Sequence, residues 1–282
     1  MEIPAMLLRR TFALVFCLAA TLAAQSSEFF FVQLADPQFG MFDNDRGYTT
    51  ESGLYEAAVT HINRLKPKFV VICGDLINKP GDAAQTAEFL RITRQIDKSI
   101  PVFAVPGNHD VGNEPTPELL AYYREQIGPD YYSFLLGGLY GIVLNSSLIS
   151  APQNAPLAAE AQEIWLSSEL ERARASQATH IVVFQHHPWF LESAEEPSQY
   201  FNIPLETRRR YLNLLRSAGV QYVFAGHYHR NALGRDAGLE MVTTGPVGRP
   251  LGDDPSGLRI VSVTPHGLSH QYYALDQVPG PR

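Results

Sequence analysis

Phe69-Val70-Val71-Ile72-Cys73-Gly74-Asp75 is the stretch from which the fold can be read. A short run of β-branched and aromatic residues stops abruptly at a glycine and a carboxylate, the pattern of a buried strand ending in a turn. Upstream, the helical pattern of Glu51 to Leu65 separates it from a similar run, Phe29 to Ala35, which stops at Asp36. Strand, helix, strand is the rhythm of a βαβ unit. Downstream, a helical window from Ala84 to Ile96 leads into Val102 to Val105, followed closely by Asn108. Open α/β sheets bind ligands outside the carboxyl ends of their strands, so three successive strands that end in chemical groups predict a site there.

The same punctuation continues. Further strands are expected at Tyr132 to Leu135, Leu139 to Leu144, His180 to Gln185 and Tyr222 to Ala225, the last two ending at His186 and Gly226. Helices are expected at Pro117 to Gln126, Ala159 to Ala173 and Leu205 to Ser217. In the second of these, Ala161, Trp165, Leu166 and Leu170 fall at helical spacing and predict a core-facing stripe. Met241 to Thr244, Leu258 to Thr264 and Ser269 to Ala274 are expected to be antiparallel strands completing a second sheet. The loops Asp43 to Thr50, Asn145 to Pro156 and Glu192 to Pro204 are long enough to shape a mouth over the strand ends, where substrate choice would reside.

The 282 residues are 45% hydrophobic and 18% charged, enough apolar material for one large core and far from a disordered composition. Arg9-Arg10 precede an apolar run from Thr11 to Ala24, and Gln25-Ser26-Ser27 follow it, which reads as a secretory leader over 1–24 ahead of a single domain over 25–282. The run is shorter than the ~20 apolar residues that span a bilayer, so no stable membrane insertion is expected. The paired arginines also faintly resemble a twin-arginine leader. Localisation is therefore expected to be exported, periplasmic or secreted. Of the two cysteines Cys17 lies in the leader, which leaves Cys73 as a small buried strand residue, with neither a disulfide nor a cysteine-rich zinc site. The formal net charge of −7 without a basic run makes a nucleic-acid duplex a poor partner.

The polar clusters are Asp36-Pro37-Gln38, Gly74-Asp75, Gly107-Asn108-His109-Asp110, His186-His187-Pro188 and Gly226-His227-Tyr228-His229. Singly, Asp-Pro and Gly-Asp are ordinary turn formers. Jointly, carboxylates, an amide oxygen and imidazoles at strand ends are the ligand types of a two-metal hydrolase, because hard divalent cations need such donors converging from several loops. In composition and order the clusters resemble the calcineurin-like metallophosphoesterases, whose motifs run D-x-H, G-D, G-N-H-D/E, H and G-H-x-H. Asp36 to Gly40, Tyr132-Ser133-Phe134, Phe184 to Pro188, Gly226 to Asn231, Gly257-Leu258-Arg259 and Tyr272-Tyr273 resemble the serine/threonine phosphatase subgroup of that family, so the resemblance spans almost all of the chain after the leader.

The resemblance implies an α/β fold of two facing mixed β-sheets flanked by helices, the four-layer sandwich of this family. It implies two divalent metal ions, manganese, magnesium, iron or zinc, bridged by Asp75. Asp36, Gln38 and His229 would complete one site and Asn108, His186 and His227 the other. The attacking group would be a metal-activated water and not a side chain. His109 is implied to be the proton donor to the leaving oxygen, and Asp110 could orient it or an adjacent ligand. Gln38 departs from the usual histidine; its neutral, hard oxygen would favour magnesium or manganese over zinc, unless it only orients a ligand by hydrogen bonding. Of the adjacent histidines, His186 comes first off the strand and is the expected ligand, with His187 turning towards Pro188, though the assignment could be reversed. Arg230 could bind a phosphate oxygen through its guanidinium fork or form a surface ion pair. Asn78 stands where purple acid phosphatases place an iron-binding tyrosine, which argues against an iron(III)-tyrosinate site. The expected reaction is hydrolysis of a phosphomonoester on a small molecule or phosphoprotein. The rivals are a phosphodiesterase acting on nucleotide or lipid esters and a metal-binding module without turnover.

Overall fold

Residue alternation along the first strands dictates the layering in the computed structural model, which describes residues 28–281. The leader expected at 1–24 lies outside the described residues. In β1 (Phe29–Leu34) Phe31 points to one core and Val32 and Leu34 to another, and in β2 (Val70–Cys73) Val71 and Cys73 oppose Val70 and Ile72 in the same way. A strand buried on both faces must be covered on both. The remaining strands are β3 (Val102–Val105), β4 (Tyr132–Leu136), β5 (Leu139–Val143), β6 (His180–Phe184), β7 (Tyr222–Ala225), β8 (Ala232–Asp236), β9 (Leu239–Thr243), β10 (Gly257–Thr264) and β11 (Gly267–Ala274). The helices are α1 (Thr49–Leu65), α2 (Ala83–Thr93), α3 (Asn108–Val111), α4 (Pro117–Gln126), α5 (Ser146–Ser150), α6 (Pro156–Ala175) and α7 (Leu205–Ser217).

Two mixed sheets result, in the orders β11-β10-β1-β2-β3 and β4-β5-β6-β7-β9-β8. Strands β1, β2 and β3 are mutually parallel, as are β5, β6, β7 and β9, so their carboxyl ends share one edge of each sheet. Between the sheets, Phe31 stacks on Phe69 at 4.5 Å and meets Phe184 and Phe224 edge-on at 5.8 and 5.6 Å. Each such ring contributes about 1.5–3 kcal/mol by burial, and together they fix how the two sheets face. The outer face of the first sheet packs on α1 and α2, that of the second on α6 and α7. Directly beneath the strand ends, the buried Gln33 side chain bridges the sheets: its amide donates to the Ala225 carbonyl at 3.0 Å and its oxygen accepts from Thr244 Oγ1 at 2.6 Å. The two sets of strand ends are therefore tied to one another by a polar pin.

Two expectations need correction. The tail strands divide between the sheets: β9 joins the second sheet parallel to β7, whereas β10 extends the first sheet antiparallel to β1 and β11 pairs antiparallel with β10. The α6 stripe is also rotated, because Ala161 is exposed while Gln162 and Glu169 are buried beside Leu166 and Leu170. These polar residues are inside because each has a partner. Gln162 bonds both the amide and the carbonyl of Asn145, and Glu169 accepts from the Tyr140 hydroxyl at 2.5 Å.

Candidate metal centre

Backbone conformation places the site. Asp36, Gln38, Asp75, His227 and His229 all have positive φ, between 42° and 68°, so among the described residues half of the ten non-glycine residues in that region belong to the polar clusters. A side chain in the left-handed region costs roughly 1–3 kcal/mol, a cost the surrounding hydrogen bonds must offset. The chain turns sharply after each strand, so the next residue projects inward and not along the surface. Glycines permit the crowding that follows. A Cβ at Gly107 would lie 2.2 Å from Asp75 Oδ1, and one at Gly226 would lie 2.5 Å from Asp36 Oδ2, which is the physical reason for Gly-Asn-His-Asp and Gly-His-x-His.

Around His186 the donor atoms are already gathered. Its Nε2 lies 2.9 Å from Asn108 Oδ1, 3.1 Å from His227 Nδ1 and 3.2 Å from Asp75 Oδ2. Donors held at about 2.1 Å from one cation lie ~3 to 3.4 Å from each other, so these separations suit a shared ion. A second group forms beside it: His229 Nε2 is 3.4 Å from Asp36 Oδ1, and Asp36, Asp75 and His229 can each turn one donor atom to within 4.8 Å of the others. Asp75 belongs to both groups. All the residues named so far are buried.

Hydrogen bonds on the far side of each ring decide which atoms face the centre. His186 Nδ1 donates to the Cys73 carbonyl at 2.9 Å, His227 Nε2 to the Tyr200 carbonyl at 3.0 Å and His229 Nδ1 to the Arg249 carbonyl at 2.6 Å. A carbonyl only accepts, so each opposite nitrogen of the neutral ring carries a bare lone pair, the form a metal ligand needs. The amides obey the same logic. Asn108 Nδ2 donates to Asn113 Oδ1 at 2.9 Å, which turns Asn108 Oδ1 towards the cluster. Gln38 Nε2 donates to Asn78 Oδ1 at 3.1 Å, leaving Gln38 Oε1 buried with no hydrogen-bond partner. A buried acceptor without a donor, set among carboxylates and imidazole nitrogens that can be bare, adds to the oxygen and nitrogen donor set that a divalent cation requires, so the residues present fit a metal pair.

Electrostatics follow from this crowding. Burial pushes the Asp75 carboxyl up, but His186 and His109 outweigh it and hold the group far below the usual carboxylate range. Burial raises Asp36 to about 6, against His229 and His186 and with Asp75. Burial would lower His186, yet Asp75 and then Asp36 carry it up to about 9. Burial, with His186 beside it, depresses His227 to about 3.

The other sequence-selected residues are placed as follows. His109 donates its backbone N–H to Asp75 Oδ1 at 2.8 Å and its ring Nδ1 to the Asn78 carbonyl at 2.6 Å. The Asp110 carboxylate does not reach that ring; it accepts from the amides of Leu76, Ile77 and Gly107 at 2.9, 3.2 and 2.7 Å. It thereby braces the backbone on either side of Asp75 and Asn108, the adjacent-ligand alternative of the two roles expected for it, and so acts as a positioning group. The Arg230 fork is turned away as well, because Nε and Nη2 both donate to the Leu251 carbonyl and the guanidinium lies 5.1 Å over the Tyr228 ring. His187 stays beside the cluster, its ring 4.3 Å from that of His227, with Nδ1 engaged by Ser146 Oγ at 3.0 Å.

Sequence reasoning passed over the residues that orient these groups. Asn78 holds Gln38 with its side chain and His109 with its carbonyl, and its own Nδ2 donates to Asp45 Oδ1 at 2.8 Å. Tyr200 holds His227. Backbone carbonyls act irrespective of side chain, so no motif could have revealed that part of the work.

The calcineurin-like phosphoesterase family model matches residues 31–231. The chain belongs to the calcineurin-like phosphoesterases. It is 43% identical over 281 residues to the human serine/threonine-protein phosphatase CPPED1, covering 93% of this chain and 90% of that protein. The zebrafish protein of the same name is 40% identical over 268 residues, covering 90% and 87%. Among solved structures, the fold resembles a purple acid phosphatase from yellow lupin (TM-score 0.69, 16% identity, 91% of this chain and 53% of that one). It also resembles a dimetal phosphatase from Danio rerio (TM-score 0.58, 20% identity, 87% and 99%). The chain is thus a phosphoric ester hydrolase of a family that uses a binuclear divalent metal centre, and the two groups sharing Asp75 are its candidate ligands.

Proposed function

We propose that this calcineurin-like phosphoesterase is an exported phosphomonoesterase acting on phosphoserine and phosphothreonine. One cation would be held by Asp36, Gln38, Asp75 and His229, the other by Asp75, Asn108, His186 and His227. The observation that carries the reading is the convergence of two donor groups on one carboxylate, with the His186, His227 and His229 rings each pinned by a backbone carbonyl so that the opposite nitrogen faces inward. When bound, the metal pair supplies Lewis acidity that clamps the phosphoryl oxygens and lowers the pKa of water.

The protein's own groups do the rest. His109 donates Nδ1–H to the Asn78 carbonyl, which fixes the ring so that Nε2 is the nitrogen left to pass a proton to the departing oxygen. Asp110 keeps the turns that carry Asp75 and Asn108 rigid. Gln38 contributes a neutral oxygen, which favours manganese or magnesium over zinc. The protein-substrate reading is supported by the name of the relatives at about 40% identity, and a chain of net charge −7 is a poor match for a nucleic-acid duplex. Export is supported by the leader composition of 1–24; among the described residues, no helix is long and apolar enough to cross a membrane.

The test compares para-nitrophenyl phosphate, its bis ester and a phosphoserine peptide before and after chelation. Faster monoester and peptide hydrolysis, abolished by chelation and restored better by manganese than by zinc, is the expected result. Faster hydrolysis of the bis ester would replace the reading with a diesterase. Export is checked by amino-terminal sequencing of protein recovered outside the cytoplasm, which should begin near Gln25.

A further inference from the structure

The loop between Phe190 and α7 presses one side chain onto the metal centre. Tyr200 is 62% exposed, yet its hydroxyl lies against the side chain of the buried Asn108, close enough to Asp75 to feel its charge. Its ring centroid is 5.0 Å from that of His227, and its carbonyl accepts from His227 Nε2 at 3.0 Å. Phe201 continues the contact, 5.8 Å from the His227 ring and 5.1 Å from that of Tyr228.

The loop is not free to swing away. Buried Arg208 donates to the carbonyls of Ala194, Glu196 and Ile203, and the Glu196 carboxylate accepts from the amides of Leu191, Glu192 and Ser193 and from Asn202 Nδ2. A side chain that is solvent-facing along its ring, anchored at its backbone and directed by its hydroxyl at a candidate metal ligand sits where a bound ester must enter. The phenol is a donor at neutral pH, and with the Arg230 fork held by Leu251 it is the group placed to meet phosphoryl oxygen.

We propose that Tyr200 is a substrate-contacting residue of this centre, donating its phenolic hydrogen to a phosphoryl oxygen while its carbonyl orients His227. This deepens the phosphomonoesterase reading and rests on it. The two roles are separable, because Tyr200→Phe removes the hydroxyl and leaves the carbonyl in place. Metal content of Tyr200→Phe, measured by elemental analysis, should equal that of the wild type. Its affinity for inorganic phosphate, measured by calorimetry on metal-loaded protein, and its kcat/KM on para-nitrophenyl phosphate should each fall roughly 10- to 100-fold, as for loss of a hydrogen bond to a charged group. Tyr200→Ala should lose at least as much. Phosphate affinity and kcat/KM of Tyr200→Phe within twofold of wild type would overturn the proposal, including the case where Tyr200→Ala alone is impaired. The phosphate titration is independent of turnover, so a wild-type protein that binds phosphate but hydrolyses no monoester would refute the enzymatic reading and still test Tyr200.

Discussion

The two halves of the centre share Asp75 but are made of different materials. Around His186, Asn108 Oδ1, His227 Nδ1 and Asp75 Oδ2 all lie within 3.2 Å of its Nε2, and the Asp75 carboxylate is one that burial cannot neutralise. Around His229 the contacts are looser, 3.4 Å to Asp36, and the remaining donor is the neutral Gln38 oxygen. Asp36 there is pushed up to about 6 by burial, despite His229 and His186, so it takes a proton far more readily than Asp75. The difference teaches that Asp75 keeps its charge well into acid, whereas Asp36 gains a proton as the pH falls through about 6. The half around His186 has its donors gathered more closely than the half around His229.

The strongest way to break this comparison is Asp75→Asn. Loss of the shared carboxylate should empty both halves and lower kcat/KM by roughly 1,000-fold or more, measured with metal content and circular dichroism on the same sample. His109→Ala probes chemistry apart from metal: kcat should fall about 100- to 10,000-fold with metal content unchanged, whereas a non-catalytic module would lose nothing. Asn78→Ala should disturb the looser half through Gln38 and the proton donor through His109, costing about 10- to 100-fold in activity. Gln38→His should shift metal preference towards zinc by about tenfold, read from competition between manganese and zinc, with the half around His186 unaffected.

The smallest effect is one of pH. His186 is held up to about 9 in the metal-free chain, because Asp75 and Asp36 outweigh the downward push of burial. Below that pH an entering cation must displace a proton from its Nε2. Metal affinity should therefore rise with pH up to about 9, and calorimetry at pH 7 in buffers of different ionisation enthalpy should detect about one proton released by this residue.

Much of the scaffold was legible because strands buried on both faces are written as short apolar runs, and because each stops at a polar group. The tail was misread for a physical reason: β9 and β10 are both largely apolar, and nothing local says that one pairs with β7 and the other with β1. The buried Gln162 and Glu169 escaped the α6 stripe because their burial depends on Asn145 and Tyr140, partners distant in sequence. At the site, residue types and strand ends pointed to the clusters. Turn geometry did not: the positive φ angles, the Asn78 hub and the carbonyls that orient the imidazoles are products of assembled loops. Arg230 makes the same point, since adjacency to His229 in sequence does not say where its guanidinium fork lies, and in the fold that fork donates to the Leu251 carbonyl.

Metal stoichiometry across two variants tests the sharing of Asp75 most directly. Elemental analysis after loading and desalting should find about two ions per wild-type chain, near zero for Asp75→Asn, and close to one for Asp36→Asn, whose half alone would be lost. An Asp75→Asn protein that is folded and still retains a full ion would contradict the account.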